Sequence, residues 1–214
     1  MNIADYKSVL CLHGALPGQE FFRAVKLPII AADGAANILD LMEIRPDVII
    51  GDMDSVNPEI LEKVRHVRLP SQELSDFQKA IQYAKRRSLL PSIICGMNSG
   101  YLDHIVNNFS IFMSTDSALV DDGIVGFTLQ PGQKKLRVKP ETKLSVFGAP
   151  RCVISSSGLR WELRNHLLEF PGATSCCNRA VTDDVVVNVH EGKALAFVYL
   201  RDVVDAGVTP NSRH

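Results

Sequence analysis

Several things are missing from this chain, and each absence excludes something. No uninterrupted apolar run approaches the roughly 18 residues that a membrane-crossing helix needs. The segment Met1-Asn2-Ile3-Ala4-Asp5 has no basic stretch leading into an apolar one with a small-residue cleavage site, so no secretory leader is expected. Lys and Arg form no run longer than Lys85-Arg86-Arg87, and the net charge is −1. That argues against a general nucleic-acid-binding surface, and a polyanionic ligand would have to be met by a metal or a few placed cations. The five cysteines are odd in number and show no Cys-x-x-Cys or Cys/His spacing that would hold zinc. Cys11 and Cys95 sit in apolar runs, Cys152 in an expected strand, and Cys176 and Cys177 are adjacent. Buried, reduced thiols are the reading, which fits a cytoplasmic protein. Internal repeats and low-complexity tracts are also missing.

What remains is a chain of 214 residues, 46% apolar and 22% charged, with material for one large domain or two of about 100 residues. Its first 125 residues alternate strand-like and helix-like segments. Ser8–Leu12, Leu27–Ala32, Val48–Ile50 and Ser92–Gly96 read as buried strands. Asn57-Pro58-Glu59 places a cap, a first-turn proline and an acid before Ile60, Leu61 and Val64. Ser75-x-x-Gln78 is a capping box that opens a helix with Phe77, Ile81 and Ala84 on one face. Asp103 is expected to cap a further helix carrying Ile105, Phe109 and Phe112. Such alternation predicts a Rossmann-like, largely parallel sheet with helices on both faces. Beyond about residue 125 Pro and Gly rise, and short alternating runs take over at Leu136–Val138, Leu144–Phe147, Trp161–Leu163, Val185–Val189 and Leu195–Tyr199. The expectation is an α/β fold: an α/β domain over 1–125, then a β-sandwich over 126–214, with a linker near Gly123–Gln133 and a frayed polar tail at Thr209–His214.

Chemistry gathers where such a sheet presents it, beyond the carboxyl ends of strands. Pro46-Asp47-Val48-Ile49-Ile50-Gly51-Asp52-Met53-Asp54-Ser55 delivers two carboxylates one residue apart after a β-branched run. In extended chain, side chains two apart point the same way, so Asp52 and Asp54 are placed to share one cation. Hard oxygen donors of this kind suit Mg²⁺. Taken alone, Asp-x-Asp is as readily an acidic surface turn. Asp33 follows a strand in Asp33-Gly34-Ala35-Ala36-Asn37, where small residues let a ligand approach the backbone, or where Asp is merely an N-cap. Asp76 opens the capped helix one turn before Lys79, a position that also suits a simple helix-dipole partner. Asp103 follows Gly96-Met97-Asn98-Ser99-Gly100, a small-residue loop able to cradle phosphate. Five carboxylates at four strand-to-helix junctions are hard to ascribe to chance.

This pattern resembles the thiamine pyrophosphokinase family, which carries Asp-Gly-Gly/Ala-Ala-Asn, Gly-Asp-x-Asp-Ser, Gln-Asp-x-Thr-Asp-Phe-x-Lys-Ala and Gly-Gly-Arg-x-Asp-His/Gln in that order. Here Asp33–Asn37, Gly51–Ser55, Gln72–Ala80 and Ser99–His104 correspond. The later half is similar at Leu129-Gln130-Pro131-Gly132, Gly158–Leu163 and Ser175–Asn178. The resemblance implies that Asp52, Asp54 and Asp76 hold Mg²⁺ against the phosphates of ATP. It implies that Asp33, Asn37, Ser55, Ser99, Gly100, Lys79 and Asp103 line the nucleotide and catalytic pocket, and that Gln72, Trp161, Ser175 and Asn178 bind thiamine. It further implies a homodimer whose thiamine site forms where the β domain of one subunit meets the α/β domain of the other. The implied reaction moves a diphosphoryl group from ATP to thiamine and releases AMP. Trp161 is the only tryptophan, suited either to stacking on a flat cationic ring or to filling a core.

Departures from the family pattern are specific. Tyr101 stands where arginine is frequent, Glu73 and Ser71 replace aspartates, and Cys177 replaces a serine before Asn178. Cys177 and Tyr101 leave room for a pterin as acceptor, and a degraded catalytic loop would leave a thiamine-binding or regulatory protein without turnover. Retention of Asp52, Asp54, Asp76 and Lys79 argues against the latter, since binding thiamine alone requires no metal–phosphate cluster.

Overall fold

Parallel strands covered on both faces need nearly continuous apolar runs, and the first half of the chain supplies them. In the computed structural model, which describes residues 2–121 and 123–200, Ser8–Cys11 (β1), Ile29–Ala32 (β2), Val48–Gly51 (β3), His66–Arg68 (β4), Ser92–Cys95 (β5) and Ala118–Asp121 (β6) form a parallel array. The expected tail at Thr209–His214 lies outside the described residues. Alternate side chains feed two cores. On one face Val9, Cys11, Ala31, Ile49 and Cys95 pack with α1 (Gln19–Val25), α2 (Ala35–Leu41) and α3 (Pro58–Leu61). On the other Leu10, Ile30, Ile50 and Ile94 meet Phe77, Ala80 and Ala84 of α4 (Asp76–Arg86) and Phe112 of α5 (Leu102–Met113). Ile49 and Ile50 are fully buried, each contributing about 1.5–3 kcal/mol.

The helix starts follow their local chemistry. Asn57 caps α3, and Ser75 and Gln78 make both bonds of the capping box on α4. α5 differs: Leu102 is its first residue, so Asp103 lies inside the first turn rather than at the cap, and no side chain caps that end. Two strands lack a sequence signal. β4 is a short, largely exposed edge, and β6 is only four residues long.

The strand order β4-β3-β2-β1-β5-β6 reverses direction between β1 and β5. At such a reversal the connections leave on opposite faces and open a crevice at the carboxyl ends.

The expected linker is a strand. Ile124–Leu129 (β7) pairs antiparallel with β6 through a tight hairpin, so Gly123 serves a turn rather than a flexible joint. The sheet therefore runs unbroken into the second half, made of β8 (Gly132–Arg137), β9 (Lys143–Ser157), β10 (His166–Glu169), β11 (Ser175–Arg179) and β12 (Asp184–Tyr199). Val185–Val189 and Leu195–Tyr199 are two parts of the single β12, joined through irregularities at Val189–Glu191 and Gly192–Ala194. Leu144–Phe147 is likewise only the start of β9. Each long strand bends and contributes to two antiparallel layers, the β-sandwich that the spacing predicts. Leu144, Val146, Ile154, Leu168, Val185, Val187 and Val198 share its core. Trp161–Leu163 is not a strand. Glu162 accepts hydrogen bonds from the Gly158 and Leu159 amides and the Ser156 hydroxyl, which fold this segment into a turn. Phe109 of α5 meets Phe197 of β12 edge to face, so the two halves pack directly.

Candidate active site

The crevice predicted at the strand reversal exists. A cavity of about 390 Å³ is lined by His13 after β1, Asp33 and Gly34 after β2, Ser55 after β3, Asp76 at the start of α4, and Gly96, Ser99, Tyr101 and His104 after β5. The loops after β1 and β5 are pressed together. Gly96 has φ +75, and a Cβ there would collide with the Leu12 carbonyl oxygen, so only glycine allows the approach.

Asp33 is the buried member of the site, 4% exposed. It does not cap α2, whose N-cap is Gly34; its own φ is +42. Its carboxylate instead accepts the Met53 amide at 3.0 Å and so anchors the next loop. Gly51 is required beside it, because a Cβ would stand 2.7 Å from the Asp33 side chain. The Asp52-Met53-Asp54 segment is not extended chain as expected. Met53 has φ +68, and this turn, rather than strand alternation, brings the two carboxylates to one side. One oxygen from each of Asp33, Asp52 and Asp54 lies within 4.8 Å of the others.

Lys79 supplies the counter-charge. Its side chain is only 4% exposed, and its Nζ lies 3.0 Å from Asp76 and 3.8 Å from Asp52. Asp76 thus stands across the lysine from Asp52 and outside the compact trio, which takes Asp33 as its third carboxylate. Burial, then the negative charges of Asp76 and Asp52, push the Asp33 carboxyl up, against the lowering effect of the Met53 amide and Ser55 hydroxyl. Asp52 shifts down, chiefly because Gln72 Nε2 donates to it at 2.7 Å, with help from the Asp54 amide and Lys79. Neighbouring carboxyls are thereby driven in opposite directions.

Other expected residues fall in informative places. The Asn37 amide donates to the Ser55 carbonyl at 2.7 Å and its oxygen accepts the Asn57 amide at 2.9 Å, so Asn37 pins the acidic loop to α2. The Ser99 hydroxyl is buried at the cavity wall and has no hydrogen-bond partner among the described residues. Gly100 adjoins it with φ +82. Asp103 does not line this cavity. It accepts the His104 amide at 2.9 Å and borders a neighbouring depression with Leu102 and Val106, because α5 starts at Leu102, two residues earlier than a cap at Asp103 requires. His104 faces the cavity in its place, as do Asn107 and Asn108. His13, Asn107 and Asn108 carry no sequence signal; only the knowledge that β1 and β5 are adjacent would have found them.

In the β half Asn178 is a buried hub. Its Nδ2 donates to the Trp161 carbonyl at 2.7 Å and to Ser175 Oγ at 3.3 Å, and its Oδ1 accepts the Trp161 and Arg179 amides. Trp161, Ser175 and Asn178 are therefore one assembly. Gln72 lies apart from that assembly, with its Nε2 on Asp52. The Trp161 ring is no core filler: the residue is 59% exposed, with the Arg160 guanidinium 6.0 Å from the ring centre. The thiols divide as well, with Cys11, Cys95 and Cys152 buried as expected but Cys176 and Cys177 exposed, in the stretch where the pairing of β11 with β9 is irregular.

A family model described as the thiamin pyrophosphokinase catalytic domain matches residues 23–120, and one described as the thiamin pyrophosphokinase vitamin B1 binding domain matches residues 137–194. The chain belongs to the thiamine pyrophosphokinase family. It is 27% identical over 178 residues to Thiamin pyrophosphokinase 1 of Caenorhabditis elegans, across 73% of this chain and 72% of that one. It is 28% identical over 196 residues to Thiamine pyrophosphokinase 3 of Oryza sativa subsp. japonica, across 75% and 73%. The fold is shared with thiamine pyrophosphokinase from Bacillus subtilis (TM-score 0.77, 16% identity, 90% of this chain and 99% of that one). The protein from Candida albicans is alike (TM-score 0.77, 16% identity, 93% and 90%). At such identities these family members speak for the fold alone.

Proposed function

We propose that this chain is a thiamine diphosphokinase, which transfers a diphosphoryl group from ATP to the primary hydroxyl of thiamine, giving thiamine diphosphate and AMP. One observation carries the reading: a single chain holds both the catalytic and the vitamin B1 binding segments of the family. The second segment favours thiamine over a pterin as acceptor.

Three carboxylate oxygens within 4.8 Å repel one another and a triphosphate unless a cation lies between them. An all-oxygen donor set fits Mg²⁺. Asp52, Asp54 and Asp76 would hold it, with the buried Asp33 close enough to join them, and when bound it would neutralise charge on the phosphate oxygens of ATP. The remaining work falls to the chain. Lys79 keeps a fixed positive charge beside Asp52 and Asp76. Ser55, Ser99 and Gly100 offer donors to the nucleotide, Asn37 holds the acidic loop in register, and Asp103 stands in the first turn of α5, accepting the His104 amide. Gln72 orients Asp52 by donating to its carboxylate. Trp161 stacks on the cationic ring of thiamine, while Asn178 and Ser175 orient the segment that carries it. The thiamine oxygen then bonds to the β-phosphorus as the bond to the AMP oxygen breaks.

In this reading residues 1–125 form the nucleotide-binding catalytic part and 126–214 the thiamine-binding part. The working form is a cytoplasmic homodimer in which the exposed Trp161 of one subunit faces the acidic crevice of the other, with no nucleic acid or membrane as partner. Incubation with ATP, Mg²⁺ and thiamine should yield AMP and thiamine diphosphate in equal amounts. ADP with thiamine monophosphate, or no thiamine-dependent product, overturns the assignment.

A further inference from the structure

Adjacent residues in a regular strand project to opposite faces of a sheet, so neighbouring cysteines in a strand ordinarily keep their sulfurs apart. In β11 they do not. Pairing with β9 jumps between Ser175, opposite Val146, and Asn178, opposite Leu144, leaving Cys176 and Cys177 in the irregularity. Cys177 has φ +57, in the left-handed region that a residue other than glycine seldom enters. The turn that results brings the two Sγ atoms to 3.9 Å, both on an exposed stretch of the sandwich. Ser145 beneath them fixes this shape: its hydroxyl accepts the Cys177 amide at 3.0 Å and lies 3.8 Å from Cys176 Sγ as a donor. Ser145 is itself buried. A buried hydroxyl thus holds two surface thiols as a pair.

We infer that Cys176 and Cys177 form a chelating dithiol site for a thiophilic electrophile of the trivalent-arsenical class. Thiolates favour soft acceptors, and two sulfurs already on the same side of the strand need only be drawn closer to bridge one atom. A disulfide fits less well. Consecutive Cα atoms are about 3.8 Å apart across a trans peptide, short of the roughly 4.4–6.8 Å that disulfides span. With phenylarsine oxide the step balances without electron transfer. Two As–S bonds form, the As–O bonds break, and the oxygen leaves as water with the two thiol protons. Burial pushes the Cys11, Cys95 and Cys152 thiols up and shields them, so they do not compete.

The site also touches function, in a way that rests on the thiamine reading above. Asn178 follows Cys177 directly and holds both backbone groups of Trp161. Closing an arsenic bridge across the irregularity moves the Asn178 backbone and with it the tryptophan.

Intact-mass measurement of the native protein with one equivalent of phenylarsine oxide tests the site itself. Wild type should gain one phenylarsenic unit per chain that survives a monothiol wash and leaves with a dithiol. Cys176→Ser and Cys177→Ser should each lose that resistant adduct. No adduct in wild type, or an equally resistant adduct in either variant, overturns the site. The KM for thiamine in the wild-type adduct should rise about tenfold, the scale of one lost buried hydrogen bond, with the KM for ATP unchanged. An unchanged thiamine KM overturns the coupling to Asn178. Absence of any thiamine turnover before treatment overturns the functional reading and leaves the mass result standing.

Discussion

At the ends of β2 and β3 the acidic residues are locked by backbone and neighbours, whereas in the β half the aromatic face of Trp161 stands open to solvent. Asp33 is buried, bonded to Met53 and crowded by Gly51; Asp52 is held by Gln72; Lys79 is almost fully covered. On the other side the backbone of Trp161 is fixed through Asn178, while its ring is exposed with the Arg160 guanidinium beside it. The contrast matches what each half must bind. Phosphoryl transfer depends on placing charge in advance, so that side is rigid before any ligand arrives. A flat cation can be taken by an exposed aromatic surface that a ligand or a second subunit then covers.

The comparison breaks most sharply at Asp54. Asp54→Asn should lower kcat by about a hundredfold or more, the scale of removing one charge-stabilising group, with the melting temperature held. Full activity in this variant would remove the acidic loop from the chemistry. Next is Asn178→Ala, which leaves the backbone groups of Trp161 and Arg179 without their partner. A loss of about 1–3 kcal/mol is expected, read as a lower melting temperature together with a higher thiamine KM. A change in the KM for ATP alone would mean that the two halves are not divided as argued.

Trp161→Ala sharpens the open side. The thiamine KM should rise several-fold, in line with about 0.5–2 kcal/mol for a cation on an aromatic face. Stability should move by no more than about 0.5 kcal/mol, because the ring is exposed. A large drop in stability would return the tryptophan to a core role. The smallest effect concerns pH. The folded Asp33 carboxyl titrates above its unfolded value of about 3.9, so the folded state holds that proton more tightly. Its favourable contribution is complete below the unfolded value and is lost as pH climbs through the folded one. Metal-free protein should therefore lose some stability from about pH 4 upward, while Asp33→Asn flattens this slope and abolishes turnover. Thermal denaturation in a chelator across pH checks the sign, and a wild-type slope that is absent or reversed would show that the buried carboxylate is not under strain.

Much of this was legible beforehand where the signal is local. The four buried strands, the Asn57 cap and the Ser75–Gln78 box depend on side chains within a few positions, and they form where their residues predict. The β half was less legible. Val185–Val189 and Leu195–Tyr199 look like separate strands because the irregularities between them interrupt the alternation, yet ladder pairing with β9 carries β12 through. Trp161–Leu163 alternates like a strand, but the Glu162 carboxylate folds it into a turn. The supposed linker is a strand because β6 and β12 lie beside it, and no local pattern announces that.

By itself the sequence determined which segments are apolar, where helices begin and which carboxylates follow strands, since these are set by neighbours along the chain. Tertiary structure decided that Asp33 rather than Asp76 completes the compact trio, that Gln72 serves Asp52, and that His13 and His104 share a wall. It also turned Cys176 and Cys177 to the same side. Such outcomes depend on which strand ends lie next to one another and on single backbone turns at Met53 and Cys177, and contacts between residues distant in sequence leave no periodic trace in it.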